Sequence, residues 1–116
     1  MSALYLHNPK CSKSRQGLEI LESTNQKFTI VEYLKNPLTK KILGEIFTHL
    51  SKEHEIKDFT RTKEKTFKDQ GLKIEDYKTK ESWVNLIFKN PIFLERPILL
   101  KTTSAILGRP PENFLQ

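Results

Sequence analysis

A strand, a helix and a second strand follow one another at the start of the chain, and this order constrains the fold more than any other feature. Ala3–Leu6 is a short apolar run, typical of a buried strand. From Ser12 to about Thr24 apolar residues recur at helical spacing, and Phe28–Leu34 is rich in β-branched and aromatic residues. Two strands joined through a helix favour a parallel pair with a right-handed crossover, so the sequence predicts an α/β fold.

The rest of the chain is predicted to be helical first and then to return to strands. Ile98–Leu100 and Ala105–Leu107 are short apolar runs whose separation suits an antiparallel hairpin. We therefore predict one α/β domain over residues 1–116, with an all-helical insertion at about 38–90. Four further helices are predicted. The first begins at Thr39 and has an apolar stripe from Ile42 to Leu50, and the second spans Glu55 to about Gln70. The third begins at Thr79 and carries Trp83, Val84, Ile87 and Phe88, and the residues Gly108–Glu112 open the last one.

Length and composition limit the class of protein. With 116 residues, 36% hydrophobic and 29% charged, the chain is predicted to form one globular domain rather than a disordered segment. No apolar run approaches the roughly 20 residues of a membrane helix, and Met1–Leu6 lacks the features of a signal peptide. The single cysteine cannot form an internal disulfide and is typical of a reducing compartment. We expect a cytoplasmic monomer with no membrane partner.

The net charge of +6 favours anionic partners without identifying them. Between Lys57 and Glu81 the lysines alternate with acidic residues. This alternation is more typical of a solvated helical surface than of a nucleic-acid-binding arm. We therefore expect no nucleic-acid partner.

Cys11 lies where a thiol is expected to ionise, between a predicted strand and a predicted helix in the segment HNPKCSKSR. Unpaired backbone N–H groups and the positive end of the helix dipole lower the pKa of a cysteine there, and the same arrangement binds oxyanions. Arg15 and the flanking lysines, Lys10 and Lys13, add positive charge, and the hydroxyls of Ser12 and Ser14 are expected to donate to the sulfur. The alternative is a buried structural cysteine, which these polar neighbours disfavour.

The Cys11 motif has serine at position 14, where a Cys-x-x-Cys motif has its second cysteine. A Cys-x-x-Cys pair resolves its own mixed disulfide, and the chain has no second cysteine, so a redox cycle here needs an external thiol such as glutathione. His7 could tune Cys11 or carry a proton, or it could be a satisfied polar residue at a strand end. Three scattered histidines and one cysteine predict no metal site.

The chain has only four arginines, and three of them lie far along the sequence from Cys11. Arginine has a planar guanidinium group that can bind two oxygens of one anion at the same time. Arg96 precedes Pro97 and Arg109 precedes Pro110, so both lie at junctions where binding residues gather. For each arginine the alternative is a weak surface ion pair, for example Arg96 with Glu95.

Four ordered motifs, which together span nearly the whole chain, resemble the glutaredoxin-dependent arsenate reductase (ArsC) family, and above all its short bacterial, YfgD-like branch. They are HNPKCSKSR at 7–15, FTRTKE at 59–64, ERPIL at 95–99 and GRPPE at 108–112. The resemblance implies a thioredoxin-like fold with a helical insertion and a cis-proline at Pro97. CSKSR replaces the CGTSR of the plasmid-borne reductases, which places Lys13 close to the thiolate.

The resemblance also implies an activity, the reduction of arsenate to arsenite in arsenic detoxification, with no bound cofactor. Glutathione is the implied co-substrate and glutaredoxin the implied partner. The implied roles are a nucleophile at Cys11, an oxyanion site at Arg61, Arg96 and Arg109, and loop residues at His7, Asn8, Ser14 and Arg15.

Two other functions remain open at this point. The Spx-type transcriptional regulators share the fold, bind RNA polymerase and sense oxidation through a Cys-x-x-Cys motif, whereas this chain has Ser14 at the second position. A glutathione-linked oxidoreductase that acts on mixed disulfides would use the same cysteine.

Overall fold

A computed structural model describes residues 3–50, 60–61 and 65–115, with the backbone alone for Thr66. The described residues fall into two compact units. The sheet unit is the described part of residues 1–36 and 96–116, and the helical unit is the described part of residues 37–95. The expectation that the whole chain behaves as a single domain stays a prediction.

The sheet unit contains a four-stranded mixed sheet and one long helix, α1, over Ser12–Glu22. The strand order is β2-β1-β3-β4; β1 pairs in parallel with β2 and antiparallel with β3, and β3 pairs antiparallel with β4. The α/β prediction, the parallel first pair and the hairpin are therefore confirmed. The strands are β1 at Ala3–Leu6, β2 at Phe28–Val31, β3 at Ile98–Leu100 and β4 at Ala105–Leu107.

The second strand is shorter than predicted: it ends at Val31, whereas the sequence predicted an end at Leu34. The carbonyl of Glu32 accepts hydrogen bonds from the backbone N–H groups of Lys35 and Asn36, both at 2.9 Å. These bonds close a turn after Val31, whereas a longer strand would need hydrogen bonds between these residues and β1. The β-rich composition was a correct signal for the strand, but it gave the wrong end.

The strand register brings three chain segments to one edge of the sheet. Leu6, the last residue of β1, lies opposite both Val31 and Ile98, and Ile98 lies opposite Leu107. The end of β1, the start of β3 and the end of β4 are therefore neighbours. The residues that continue from these three points are the loop before Cys11 and the two arginine–proline segments.

An aromatic cluster holds α1 against the sheet. Tyr5 and Phe114 are almost fully buried, with ring centroids 5.8 Å apart in an edge-to-face arrangement. A Cβ atom at Gly17 would lie 2.6 Å from the Tyr5 hydroxyl, and one at Gly108 would lie 2.4 Å from the Phe114 ring. Glycine is needed at both positions because the neighbouring groups approach so closely.

The last helix differs from the prediction. It is a 3₁₀ helix over Pro111–Leu115, whereas Gly108–Glu112 was expected to open it. Gly108 instead donates its backbone N–H to the Pro97 carbonyl at 2.8 Å, so it extends the hairpin. The Arg109–Pro110 peptide bond is cis, which was not predicted.

The helical unit begins at α2, Lys40–Leu50, and includes α3 at Lys65–Asp69 and α4 at Lys80–Lys89. Thr79 forms a capping box with Ser82 at the start of α4, which confirms the predicted cap. Phe88, which was predicted to lie in this helix, is 43% exposed. Short 3₁₀ turns at Ile74–Asp76 and Pro91–Phe93 complete the described part of this unit.

The helix predicted over Glu55–Gln70 is wrong in part. Thr60 is buried and forms an antiparallel bridge with Leu94, and the Arg61 N–H donates to the Phe93 carbonyl. Extended pairing to a segment more than thirty residues away therefore replaces a helix at Thr60 and Arg61. Within the described residues, α3 accounts for Lys65–Asp69, and residues 55–59 and 62–64 of the prediction lie outside them.

Candidate active site

The loop after β1 places Cys11 at the first residue before α1, as the sequence predicts. The Asn8 carbonyl accepts the Cys11 N–H at 2.9 Å, and the Asn8 side-chain oxygen accepts the Lys10 N–H at 3.1 Å. The Cys11 carbonyl then accepts the Arg15 N–H at 3.0 Å, which is the first bond of the helix. Asn8 therefore shapes the turn, and Cys11 is the N-cap residue, half-buried and with a free thiol.

The environment of Cys11 favours the thiolate. Burial raises the pKa of the thiol, but hydrogen bonds from the Ser14 N–H, the Arg96 side chain and the Lys13 N–H, together with the charge of Arg96, outweigh it and lower the pKa. An Arg109 guanidinium nitrogen, Nη2, also donates to the sulfur at 3.8 Å. The sulfur thus faces two helix N–H groups and two cations.

The Ser14 hydroxyl does not serve as predicted. Its oxygen accepts the Asn8 backbone N–H at 3.0 Å and lies 2.7 Å from the Nδ1 atom of His7. In the first turn of a helix the N–H groups point back toward the N-cap, so the Ser14 backbone donates to Cys11 while its side chain bonds to the loop. Ser12, the other predicted donor, is exposed.

His7 is buried and contacts the site through Ser14 rather than through the sulfur. Burial lowers its pKa; the charge of Glu32 opposes this effect and that of Arg15 adds to it. A neutral imidazole at this point fits its hydrogen bond to a buried hydroxyl. The tuning role is therefore indirect in this geometry, and proton transfer by His7 stays a prediction.

Tyr5 is a site residue that was not predicted from the sequence. Its hydroxyl donates to the Ser14 carbonyl at 2.6 Å and is fully buried, and burial raises its pKa, so the hydroxyl stays protonated. A tyrosine within a buried apolar strand is the available signal, because a buried hydroxyl needs a partner. The partner itself could not be read from the sequence.

Arg96 and Arg109 meet at the base of the β3–β4 hairpin. Arg96 is buried and precedes Pro97 through a cis peptide bond, as the resemblance implied. The Arg109 Nε atom donates to the Arg96 carbonyl at 2.7 Å, and its Nη2 atom reaches Cys11. An antiparallel hairpin places its two ends side by side, which is why residues 13 apart in sequence converge on the same thiol.

The other basic candidates have different surroundings. The Arg15 side chain donates to the Pro9 carbonyl at 2.8 Å and is exposed, so it ties the loop to the helix. Lys10 and Lys13 are exposed. Arg61 lies in the helical unit, where its Nη1 atom pairs at 3.2 Å with Glu95, the acidic residue also considered as a partner of Arg96. An oxyanion-binding role for Arg61 stays a prediction.

The arrangement around Cys11 can both ionise a nucleophile and attract an anion toward it. No cluster of histidine, cysteine, aspartate and glutamate side chains suitable for a metal ion occurs in the described ranges 3–50, 60–61 and 65–115. Of the helices that the structure describes, none has the length and apolarity to cross a membrane. The contacts of Cys11 described above combine a stabilised thiolate with cationic donors of the kind that bind oxyanions.

Known proteins are similar to this chain in sequence. The ArsC family model matches residues 6–116. An arsenate reductase of Neisseria meningitidis is 36% identical over 108 residues, covering 93% of this chain and 91% of its own. The YfgD protein of Escherichia coli K12 is 32% identical over 110 residues, covering 95% and 91%.

The same relationship appears in three dimensions. The structure of an arsenate reductase from Vibrio cholerae has a TM-score of 0.85 and 31% sequence identity, covering 99% of this chain and 96% of its own. The mixed sheet with α1 packed on it is therefore the thioredoxin-like fold of these proteins. With a family model that spans nearly its whole length, relatives above 30% identity and a shared fold, the chain belongs to the ArsC family.

Proposed function

We propose that this chain is an arsenate reductase of the glutathione- and glutaredoxin-dependent type, in which Cys11 is the nucleophile. The observation that carries the proposal is the sulfur itself, which accepts helix N–H groups while the Arg109 guanidinium lies 3.8 Å away. The names of the arsenate reductases among its relatives suggest the substrate, because the geometry alone supports only an anion beside the thiolate.

The first step is attack on arsenic. The Cys11 thiolate forms a bond to As(V), and one arsenate oxygen leaves as water after taking up protons from solvent. Arg96 and Arg109 neutralise the oxyanion and the charge that develops in the transition state. In this scheme Arg61 is a third anion-binding arginine.

The second step requires two external thiols, because the described loop has serine where a resolving cysteine would be. The sulfur of glutathione bonds to arsenic and displaces a second water. The glutaredoxin thiolate then attacks that glutathione sulfur and forms a mixed disulfide, while the two electrons of the sulfur–arsenic bond reduce As(V) to As(III). Water releases arsenite from Cys11 and regenerates the thiol.

The test is an NADPH-coupled assay with glutathione, glutathione reductase and glutaredoxin. We expect arsenate-dependent NADPH oxidation that is lost in Cys11→Ser, and weaker oxyanion binding and turnover in Arg96→Ala and Arg109→Ala. Phosphate and sulfate, added in place of arsenate, establish whether the oxidation is specific.

Two results obtained with the same purified protein would replace this proposal with another function. Reduction of a glutathionylated substrate without any arsenate reduction would identify a general thiol oxidoreductase. Capture of the RNA polymerase α subunit, again without reductase activity, would identify a regulator. Full activity of the Cys11→Ser variant would remove the nucleophile from the scheme.

A further inference from the structure

Asn113 bonds to the segment that carries Arg109. It lies in the 3₁₀ helix Pro111–Leu115 and is half-buried. Its side-chain amide donates to the Leu107 carbonyl at 3.0 Å and to the Arg109 carbonyl at 3.3 Å. One side chain therefore joins the end of β4 to the residue two positions later.

The sequence explains why a side chain performs this task. Pro110 and Pro111 follow Arg109 directly, and proline has no backbone N–H to donate. Neither residue can satisfy the carbonyls that precede it. The Asn113 side-chain amide donates to the Leu107 and Arg109 carbonyls, which Pro110 and Pro111 cannot do.

The Arg109 side chain is fixed from its other end. Its Nε atom donates to the Arg96 carbonyl at 2.7 Å, and its Nη2 atom donates to the Cys11 sulfur at 3.8 Å. Asn113 thus holds the backbone from which this guanidinium extends, and Arg109 links the Asn113 amide to the thiol through one hydrogen bond at its carbonyl and one at its Nη2 atom. All four residues belong to the sheet unit.

We propose that Asn113 is a positioning residue that holds Arg109 against Cys11 and thereby sets both the nucleophilicity of the thiol and its affinity for an oxyanion. The oxyanion part rests on the proposed function, whereas the part that concerns the thiol does not. A long arginine side chain has many rotamers, and a flexible anchor would spread its charge over positions remote from the sulfur. The amide restricts that spread.

The experiment compares Asn113→Ala with Asn90→Ala. Asn90 also donates its side-chain amide to a backbone carbonyl, that of Leu86 at 3.2 Å, but it lies in the helical unit, so its variant is a matched control for the loss of such a bond. For each folded protein, the rate of Cys11 alkylation by iodoacetamide is measured against pH. The concentration of arsenate that halves the rate is measured at one pH.

We expect the alkylation midpoint of Asn113→Ala to rise by up to about one pH unit, because complete loss of an opposite charge near a thiolate shifts its pKa by about that much and the variant only loosens Arg109. The arsenate concentration for half-protection is expected to rise on the order of tenfold, the scale of a small misplacement in a site. Asn90→Ala is expected to match the wild type in both. Wild-type values in Asn113→Ala, or equal changes in Asn90→Ala, overturn the proposal.

A second variant covers the case in which Asn113→Ala does not fold. Asn113→Ser keeps one donor, and we expect a smaller shift of the midpoint in the same direction; an unshifted midpoint overturns the proposal. The alkylation profile involves no arsenate. A protein that reduces no arsenate would therefore refute the proposed function while the effect of Asn113 on the thiol could still be measured.

Discussion

Replacing Ser14 with alanine is expected to destabilise the protein through the loop around Cys11. The Ser14 side chain is fully buried, and its oxygen accepts the Asn8 N–H at 3.0 Å and lies 2.7 Å from the His7 Nδ1 atom. Alanine removes this shared partner of two buried polar groups. Each buried group left unsatisfied costs about 1–3 kcal/mol, so the expected loss of unfolding free energy is about 2–6 kcal/mol.

Urea denaturation measures this loss. With a slope of about 2 kcal/mol per molar urea, the midpoint is expected to fall by about 1 M or more. Ser12→Ala is the matched control, because Ser12 is in the same helical turn but exposed, and surface substitutions of this kind change stability by about 0.5 kcal/mol or less. Equal midpoints for the two variants would refute the role given to the Ser14 hydroxyl.

Three further predictions concern packing, pH and cooperativity. Gly108→Ala is expected to cost about 1–3 kcal/mol by overpacking against Phe114 and Pro97. Gly44→Ala is expected to stabilise α2 by about 0.5–1 kcal/mol, because apart from the local helix backbone and its chain neighbours no atom of the described residues lies within 4 Å of the new Cβ; similar urea midpoints would contradict this pair of predictions. Because burial lowers the pKa of His7, the unfolded chain binds more protons just below pH ~6.5, so stability is expected to fall as pH falls through that range. His7→Gln is expected to reduce this slope, and an unchanged slope would count against it. Urea unfolding followed by tryptophan fluorescence and by circular dichroism is expected to give one coincident transition, and two separate transitions would contradict the single-domain prediction.

The local parts of the fold could be predicted from the sequence because each depends on a short pattern. The apolar run Ala3–Leu6, the helical spacing after Ser12 and the hairpin spacing all correspond to observed elements. The predicted elements were wrong where contacts formed only in the folded chain determine the local structure. Thr60 pairs with Leu94 rather than continuing a helix, and the end of β2 depends on a turn closed by the Glu32 carbonyl.

The candidate site divides in the same way. Cys11 could be placed at a helix start because strand, proline and helix follow one another along the chain. The direction of the Ser14 side chain could not be predicted, because it depends on how the first helical turn faces β1. The hydrogen bonds of Tyr5 and Asn113 to backbone carbonyls were also inaccessible, since only the folded chain specifies which carbonyls lie beside them.

The central claim is that the loop and its arginines hold Cys11 as a thiolate. Its most direct test is the ultraviolet absorbance of the thiolate, recorded against pH for the wild type and for Cys11→Ser, with the difference assigned to Cys11. We predict a difference signal whose midpoint lies clearly below the ordinary thiol pKa of about 8.5. A midpoint at or above about 8.5 would contradict the account, because helix N–H groups and guanidinium charges would then be failing to stabilise the anion.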